Sequence, residues 1–273
     1  MFQKVTPKSN LQSALAILEL IYHSTVRSVR KSHGNAFFAI LNNMLQAIIF
    51  VLAFYLMFWM LGIKGARIRG DFLLYMMSGV FLFLTHIKAL GAVVGAEGPS
   101  SPMMQHAPMN TVISVASSAL GALYIQVLSL VVILFIYHVA FTPFEVAQPF
   151  PAFGMLLVSW FTGVAIGLVL LSIKPWFPAA IGIITLVYQR ANMIASGKMF
   201  VANSLPPFML KMFDWNPLFH VIDQCRGFTF INYVPRNSSF EYPLIVGAVF
   251  LMIGLMGEFY TRQYASPSWD ARR

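Results

Sequence analysis

The chain is poor in charge. Only 10% of its 273 residues are charged, and just 9 residues are acidic. A soluble domain carries roughly 25% charged residues, because much of any globule faces water. Here 58% of residues are hydrophobic and mean hydropathy is +0.73. The surplus apolar surface is therefore expected to face lipid. In lipid, backbone polar groups are satisfied only within helices or a closed barrel. The apolar runs are long and do not alternate at period two, which selects helices.

Other absences narrow the chemistry. A lone cysteine, Cys225, allows no internal disulfide, so redox usage is silent about compartment. No Gly-rich loop followed by Lys and Ser/Thr occurs, which excludes a P-loop ATPase. The six histidines (His23, His33, His86, His106, His138 and His220) are scattered without metal-ligand spacing, so no metal site is expected. Ser100 and Ser101, beside prolines, make no nucleophile elbow. Glu97, Asp214, Asp223 and Glu258 show no pairing fit for acid–base work. No catalytic residue is expected, and the chain is not expected to be an enzyme. The net charge of +9 comes from basic residues that flank apolar runs. That pattern suits anionic lipid headgroups and a cytoplasmic protein partner rather than nucleic acid. No short apolar core with a cleavage site opens the chain, so the first span is expected to insert and stay.

What is present is a series of long apolar runs. Ser9 and Gln12 have capping-box spacing, ahead of a stripe of Leu11, Leu15, Leu18, Tyr22, Val26 and Val29. Arg27, Arg30 and Lys31 suit a helix C-terminus and Gly34 a stop. This predicts an amphipathic helix in the membrane interface, or else an extension of the first span. Spans are predicted over Phe37 to Leu61, Phe72 to Val94, Thr111 to Val139, Phe153 to Ile173, Ala179 to Phe200 and Pro243 to Tyr260. The expected fold is an all-α integral membrane protein of six spans. Residues 1–35 form a cytoplasmic tail and interfacial helix, residues 36–260 the membrane domain, and residues 261–273 a second cytoplasmic tail. An even span count places both termini on one side. Five Lys/Arg in the first segment and Arg262, Arg272 and Arg273 at the end favour the cytoplasm. Lys64, Arg67 and Arg69 would then face outward.

Several residues stand out within this frame. Asn42, Asn43 and Gln46 should meet another helix rather than lipid. Arg190, with Gln189 and Asn192, sits mid-span; it lines a hydrophilic path, fixes the bundle by pairing, or snorkels. Lys88, nearer a span end, has the same choices. Gly91/Gly95 and Gly163/Gly167 are small-residue pairs for close packing. Between spans five and six, the pieces Pro207–Phe213 and Leu218–Phe230 are too short to cross and too apolar for a free loop. They are predicted to be re-entrant half-helices packed on protein in the outer leaflet. Trp215, Phe219, Phe228, Phe230 and Tyr233 supply aromatic faces that either stack on sugars or form an interfacial belt.

The run Arg190 to Gly197 (RANMIASG), then Leu205-Pro206, then Trp215-Asn216-Pro217-Leu218 with His220, then Arg226-Gly227 before Tyr233, resembles the C-terminal signature of ABC type-2 exporter permeases. The nearest group is the exporters of capsular polysaccharide and lipopolysaccharide O-chains. The upstream order is similar too, including FLLYMMSGVFLF opening span two and a short-helix loop between spans two and three. The resemblance implies a six-span inner-membrane permease that pairs with itself and with two copies of a separate ATPase. It implies that ATP and Mg bind that partner and that this chain holds no cofactor. It places an ATPase-docking loop at residues 97–110, with Glu97, Ser100, Ser101, Met104, Gln105 and His106. Relatives usually carry basic residues there; this loop has none. The implied cargo is a cell-surface polysaccharide, with a periplasmic co-polymerase as a further partner. The alternatives are a drug or lipid exporter, an ion-coupled carrier (which would want buried carboxylates mid-membrane), and a membrane glycan or acyl transferase.

Overall fold

A computed structural model describes residues 10–33, 36–60, 62, 68, 70–98 and 110–265. Nine α-helices and one short 3-10 turn occur among them, with no strand. They are α1 (Asn10–His33), α2 (Ala36–Met60), α3 (Phe72–Val94), α4 (Thr111–Ala140), α5 (Pro149–Ile173), α6 (Pro178–Ala195), α7 (Pro207–Phe213), α8 (Pro217–Thr229) and α9 (Glu241–Tyr264), with the 3-10 turn at Ala202–Ser204. Ser9, Gly34, Lys64, Arg67 and Arg69 lie outside the described residues.

Five helices are long and apolar enough to cross a bilayer: α2, α3, α4, α5 and α9. The helix expected as the fifth of six spans, α6, is not among them. It has 18 residues and stops at Ala195, short of Phe200. Gln189, Arg190 and Asn192 dilute its apolar run, and the φ of +74° at Gly197 turns the chain two residues later. Its rise of about 27 Å still approaches the roughly 30 Å hydrocarbon core. Helix α5 begins at Pro149, four residues before the expected Phe153, because proline suits the first helical turn. The predicted half-helices appear as α7 and α8.

Local chemistry explains the ends. Asp71 caps α3, its Oδ1 accepting from the Leu73 N–H at 2.8 Å. The Tyr137 hydroxyl of α4 donates to the same carboxylate. Asn110 caps α4 by accepting from the Val112 N–H.

Helices α3 and α5 form the centre of the bundle. Helix α5 packs against both α3 and α9, and small residues set the spacing. A Cβ at Gly163 would lie 2.4 Å from the His86 carbonyl oxygen, and one at Gly254 would lie 2.9 Å from Leu168. The Ser159 hydroxyl donates to Leu82 O across the α3–α5 seam at 2.7 Å. Thr261 of α9 donates to Ser172 O at 2.7 Å. Without a hydrophobic drive between helices in lipid, such close approach and hydrogen bonding hold the bundle. Apolar faces of α2, α4 and α9 point outward, with Ile49, Phe135 and Met256 among their exposed side chains. The stripe on α1 is likewise exposed at Leu15, Leu18 and Tyr22, while Val29 is buried against α4, next to Gly121.

The two glycine pairs differ. Gly163/Gly167 is a packing seam. A Cβ at Gly91 would meet only the Gln189 amide, at 3.7 Å, so that glycine borders open space. Gly163→Ala is therefore expected to destabilise the chain by about 1–3 kcal/mol through overpacking, while Gly91→Ala leaves it unchanged. Thermal unfolding of the two purified variants followed by size-exclusion chromatography checks this.

Candidate functional site

The residues singled out in the sequence fall into three places. The first is a clamp at the junction of α6, α7 and α8. Asn216 precedes Pro217, the first residue of α8, and its Oδ1 accepts from the Leu218 N–H at 3.1 Å. Its amide nitrogen donates back to Asn192 Oδ1 at 2.9 Å and Ala195 O at 3.0 Å. One side chain thus starts α8 and fastens it to the end of α6. His220 accepts from the Ser239 N–H at Nδ1 (2.9 Å), which leaves Nε2 to donate to Asp214 O at 2.5 Å. That pattern fixes the Nε2–H tautomer.

Arg226 is the centre of this clamp. It is 1% exposed. Its two terminal nitrogens donate to Gly197 O (2.9 Å), Phe200 O (2.7 Å) and Lys198 O (2.6 Å). Its guanidinium lies 4.2 Å from the Tyr75 ring centre. Gly79 of α3 makes the room, since a Cβ there would sit 2.9 Å from the guanidinium. Gly197 is required twice, by its left-handed φ and by Phe219, which a Cβ would meet at 2.8 Å. Asp223 accepts from Tyr233 at 2.5 Å and from Ser238 at 2.6 Å. Burial, reinforced by the Asp223 carboxylate, holds the Tyr233 phenol above its ordinary pKa.

These contacts correct the expectation of free aromatic faces. Phe219, Phe230 and Tyr233 are buried within the chain. Trp215, by contrast, is widely exposed, its indole N–H donating to Met212 O at 2.7 Å.

The sequence reading missed Lys198. It is 1% exposed, and its ammonium has no hydrogen-bond partner among the described residues. It sits 3.3 Å from the Phe83 ring centre, with Phe54 and Phe50 at 5.1 and 5.4 Å. The cage is a cation–π arrangement. Its three phenylalanines come from α2 and α3, remote in sequence, so only the Gly-Lys step could have signalled it.

The second place is a polar seam through the bundle. Asn43 of α2 donates to Gln126 and Ser129 of α4, both at 2.9 Å, as expected for an amide in a span. His86, fully buried, lies 3.0 Å from Thr162 Oγ1 of α5 and 2.9 Å from the Tyr188 hydroxyl of α6. This link is the main polar tie between α6 and the central pair.

The third place is a cavity of about 440 Å³ between α1, α2, α3, α4 and α6. Lys88 and Gln189 both line it, together with Gln46, Ser28 and Ser118. Arg190 does not. It is exposed on the neighbouring face of α6, beside Leu186, Val187 and Ile194, and makes no ion pair among the described residues. Of the expected docking loop, Glu97 is half-buried and its N–H donates to Ser114 Oγ at 3.1 Å. Ser100, Ser101, Met104, Gln105 and His106 lie outside the described residues.

A bundle with five helices long and apolar enough to cross a bilayer is the architecture of a multi-pass membrane protein. The ABC-2 type transporter family model matches residues 19–230, and the chain belongs to that family. Its ATP-binding subunit is a separate protein. The chain is also similar to two polysialic acid transport proteins KpsM of Escherichia coli. One is 23% identical over 189 residues, covering 68% of this chain and 71% of the relative. The other is 22% identical over the same length and shares.

Loss of the Arg226 clamp leaves three carbonyls unpaired. Arg226→Met is expected to cost about 3 kcal/mol or more, with Arg226→Lys intermediate because a single ammonium cannot reproduce the fork. Denaturation midpoints of the purified variants, set beside Trp215→Ala at an exposed site, check the order.

Proposed function

We propose that the chain is the membrane-spanning permease subunit of an ATP-driven exporter that moves a cell-surface polysaccharide, of capsular type, across the inner membrane. The observation that carries the cargo is the similarity to the polysialic acid transport proteins over 189 residues. Two copies of the chain form the central path, and two copies of the ATPase bind ATP and Mg on the cytoplasmic side. Helix α6 crosses as the fifth of six spans, which sets both termini on one side, the cytoplasm. Its face of exposed Leu186, Val187 and Arg190 is then shared between the second copy and the path. Arg190, Gln189 and Lys88 give that path its polar side. The segment 97–110, between the end of α3 and the start of α4, meets the ATPase together with α1. The outer clamp around Trp215, Asn216, Pro217, Phe219, His220, Arg226 and Tyr233 seals the far side until the spans tilt. ATP-driven closure of the ATPase favours the outward-open arrangement because the two states differ in affinity for it. A periplasmic co-polymerase receives the glycan.

The chain, reconstituted in vesicles with and without its ATPase, is expected to move polysaccharide only with the ATPase and ATP. Transport by the chain alone overturns the mechanism. Deleting the gene should remove surface polysaccharide and leave drug tolerance unchanged; the opposite pattern would give the cargo to a drug exporter.

A further inference from the structure

Among the described residues, Lys88 is the only charged side chain that lines the 440 Å³ cavity. It is half-buried in the last third of α3. An ammonium within a spanning helix costs several kcal/mol unless something answers it. Nothing in the described chain does. The one ion pair among the described residues joins Glu19 to His23 on α1, and no carboxylate lines the cavity. The other polar groups of the lining are uncharged: the amides of Asn43, Gln46 and Gln189 and the hydroxyls of Ser28 and Ser118, each able to donate as well as accept. The walls are kept thin by small residues. A Cβ at Gly91 would have only the Gln189 amide nearby at 3.7 Å, and Gly121 meets Val29 of α1 at 3.4 Å. The volume lies within the roughly 300–1,000 Å³ of ligand clefts.

A positive charge beside uncharged amides and hydroxyls, with no carboxylate among the described lining residues, suits an anion with several acceptor oxygens. A phosphate fits, since it takes an ammonium and amide or hydroxyl donors together. The position of the site decides how that phosphate arrives. The cavity lies between helices whose outer faces are apolar, including Leu45 and Ile49 on α2 and Ile183 and Leu186 on α6. A ligand whose phosphate enters there while its tails stay among such faces is a lipid.

We propose that this cavity binds the phosphate of an anionic membrane lipid, with Lys88 supplying the charge and Gln46 and Gln189 the flanking hydrogen bonds. The proposal gives Lys88 and Gln189, which the export reading sets beside the path, a ligand of their own. Its test therefore measures binding rather than transport. The full-length chain, purified in neutral detergent, is titrated with dioleoyl phosphatidic acid, and retained lipids are counted by native mass spectrometry. Dioleoyl phosphatidylcholine is the zwitterionic comparator.

The wild-type chain is expected to retain one phosphatidic acid with about ten-fold preference, the value of one charge-assisted hydrogen bond. K88Q should lose that preference, and K88R should keep it. A92L, which fills the cavity and leaves Lys88 in place, should lower retention as well. Unchanged thermal unfolding of K88Q and A92L shows that the fold survives. Equal preference in wild type and K88Q overturns the proposal, as does full retention by A92L. Lys88-dependent binding of millimolar inorganic phosphate, with no phosphatidic acid retained, gives the site to a soluble anion and also overturns it.

Discussion

The buried guanidinium of Arg226 is the constraint on which the α6–α8 end of this molecule depends. Between Ala195 and Pro207 the chain has only a single 3-10 turn, so its carbonyls lack helical partners. Irregular backbone at membrane depth is tolerated only where protein satisfies it. Arg226 takes three of those carbonyls, from Gly197, Lys198 and Phe200, with two nitrogens. A lysine in its place would bring a point charge to a site shaped for a planar fork. Because Arg226 sits on α8 and stacks over Tyr75 of α3, the same group also fixes α8 against the centre of the bundle. The strand of chain that leaves α6 can therefore be neither helix nor loose loop.

The quoted motif residues are construction around that group. Asn216 starts α8 and returns to Asn192 and Ala195. His220 bridges Ser239 and Asp214. Phe219 fills the space above Gly197. A signature of this sort can be read in a sequence as a set of positions, since Asn before Pro is a helix start with a mechanism. Its partners cannot be read, because they lie 24 residues away for Asn192 and 29 for Gly197. This is why aromatic residues that look like a stacking platform in the sequence are interior packing in the fold. Only tertiary neighbours distinguish a free ring from a covered one.

The long helices were legible for a simpler reason. Helices α3 and α4 begin where their apolar runs do, just after Asp71 and Asn110, whereas α5 begins at Pro149, four residues ahead of its predicted start. Helix α6 was less legible because polar residues share its length. Its polar ties are the Tyr188–His86 contact to α3 and the bonds of Asn216 to Asn192 and Ala195, which no periodicity announces. The two glycine pairs show the same limit. Small residues four apart promise close approach, and Gly163 delivers it against the His86 carbonyl. Gly91 has the same spacing and borders a cavity instead. The difference lies in what faces each glycine, a fact of packing and not of pattern.

Three cations sit among these helices, and each meets the low-dielectric interior differently. Arg226 makes three hydrogen bonds to backbone carbonyls through its two terminal nitrogens, while its Nε–H has no partner among the described residues. Lys198 has none, and lies on the faces of Phe83, Phe54 and Phe50, whose quadrupoles answer the charge without a hydrogen bond. Lys88 has neither a ring nor a carboxylate, and faces a cavity lined by amides and hydroxyls. The first two are closed arrangements, since adding a ligand would mean breaking contacts already made. Only at Lys88 does the fold leave a charge together with the space to approach it. An unanswered cation is a cost to a folded chain, and a cavity beside it is a second cost in lost packing. A fold that could have closed over this lysine as it does over Lys198, yet keeps both, is arranged for something to enter.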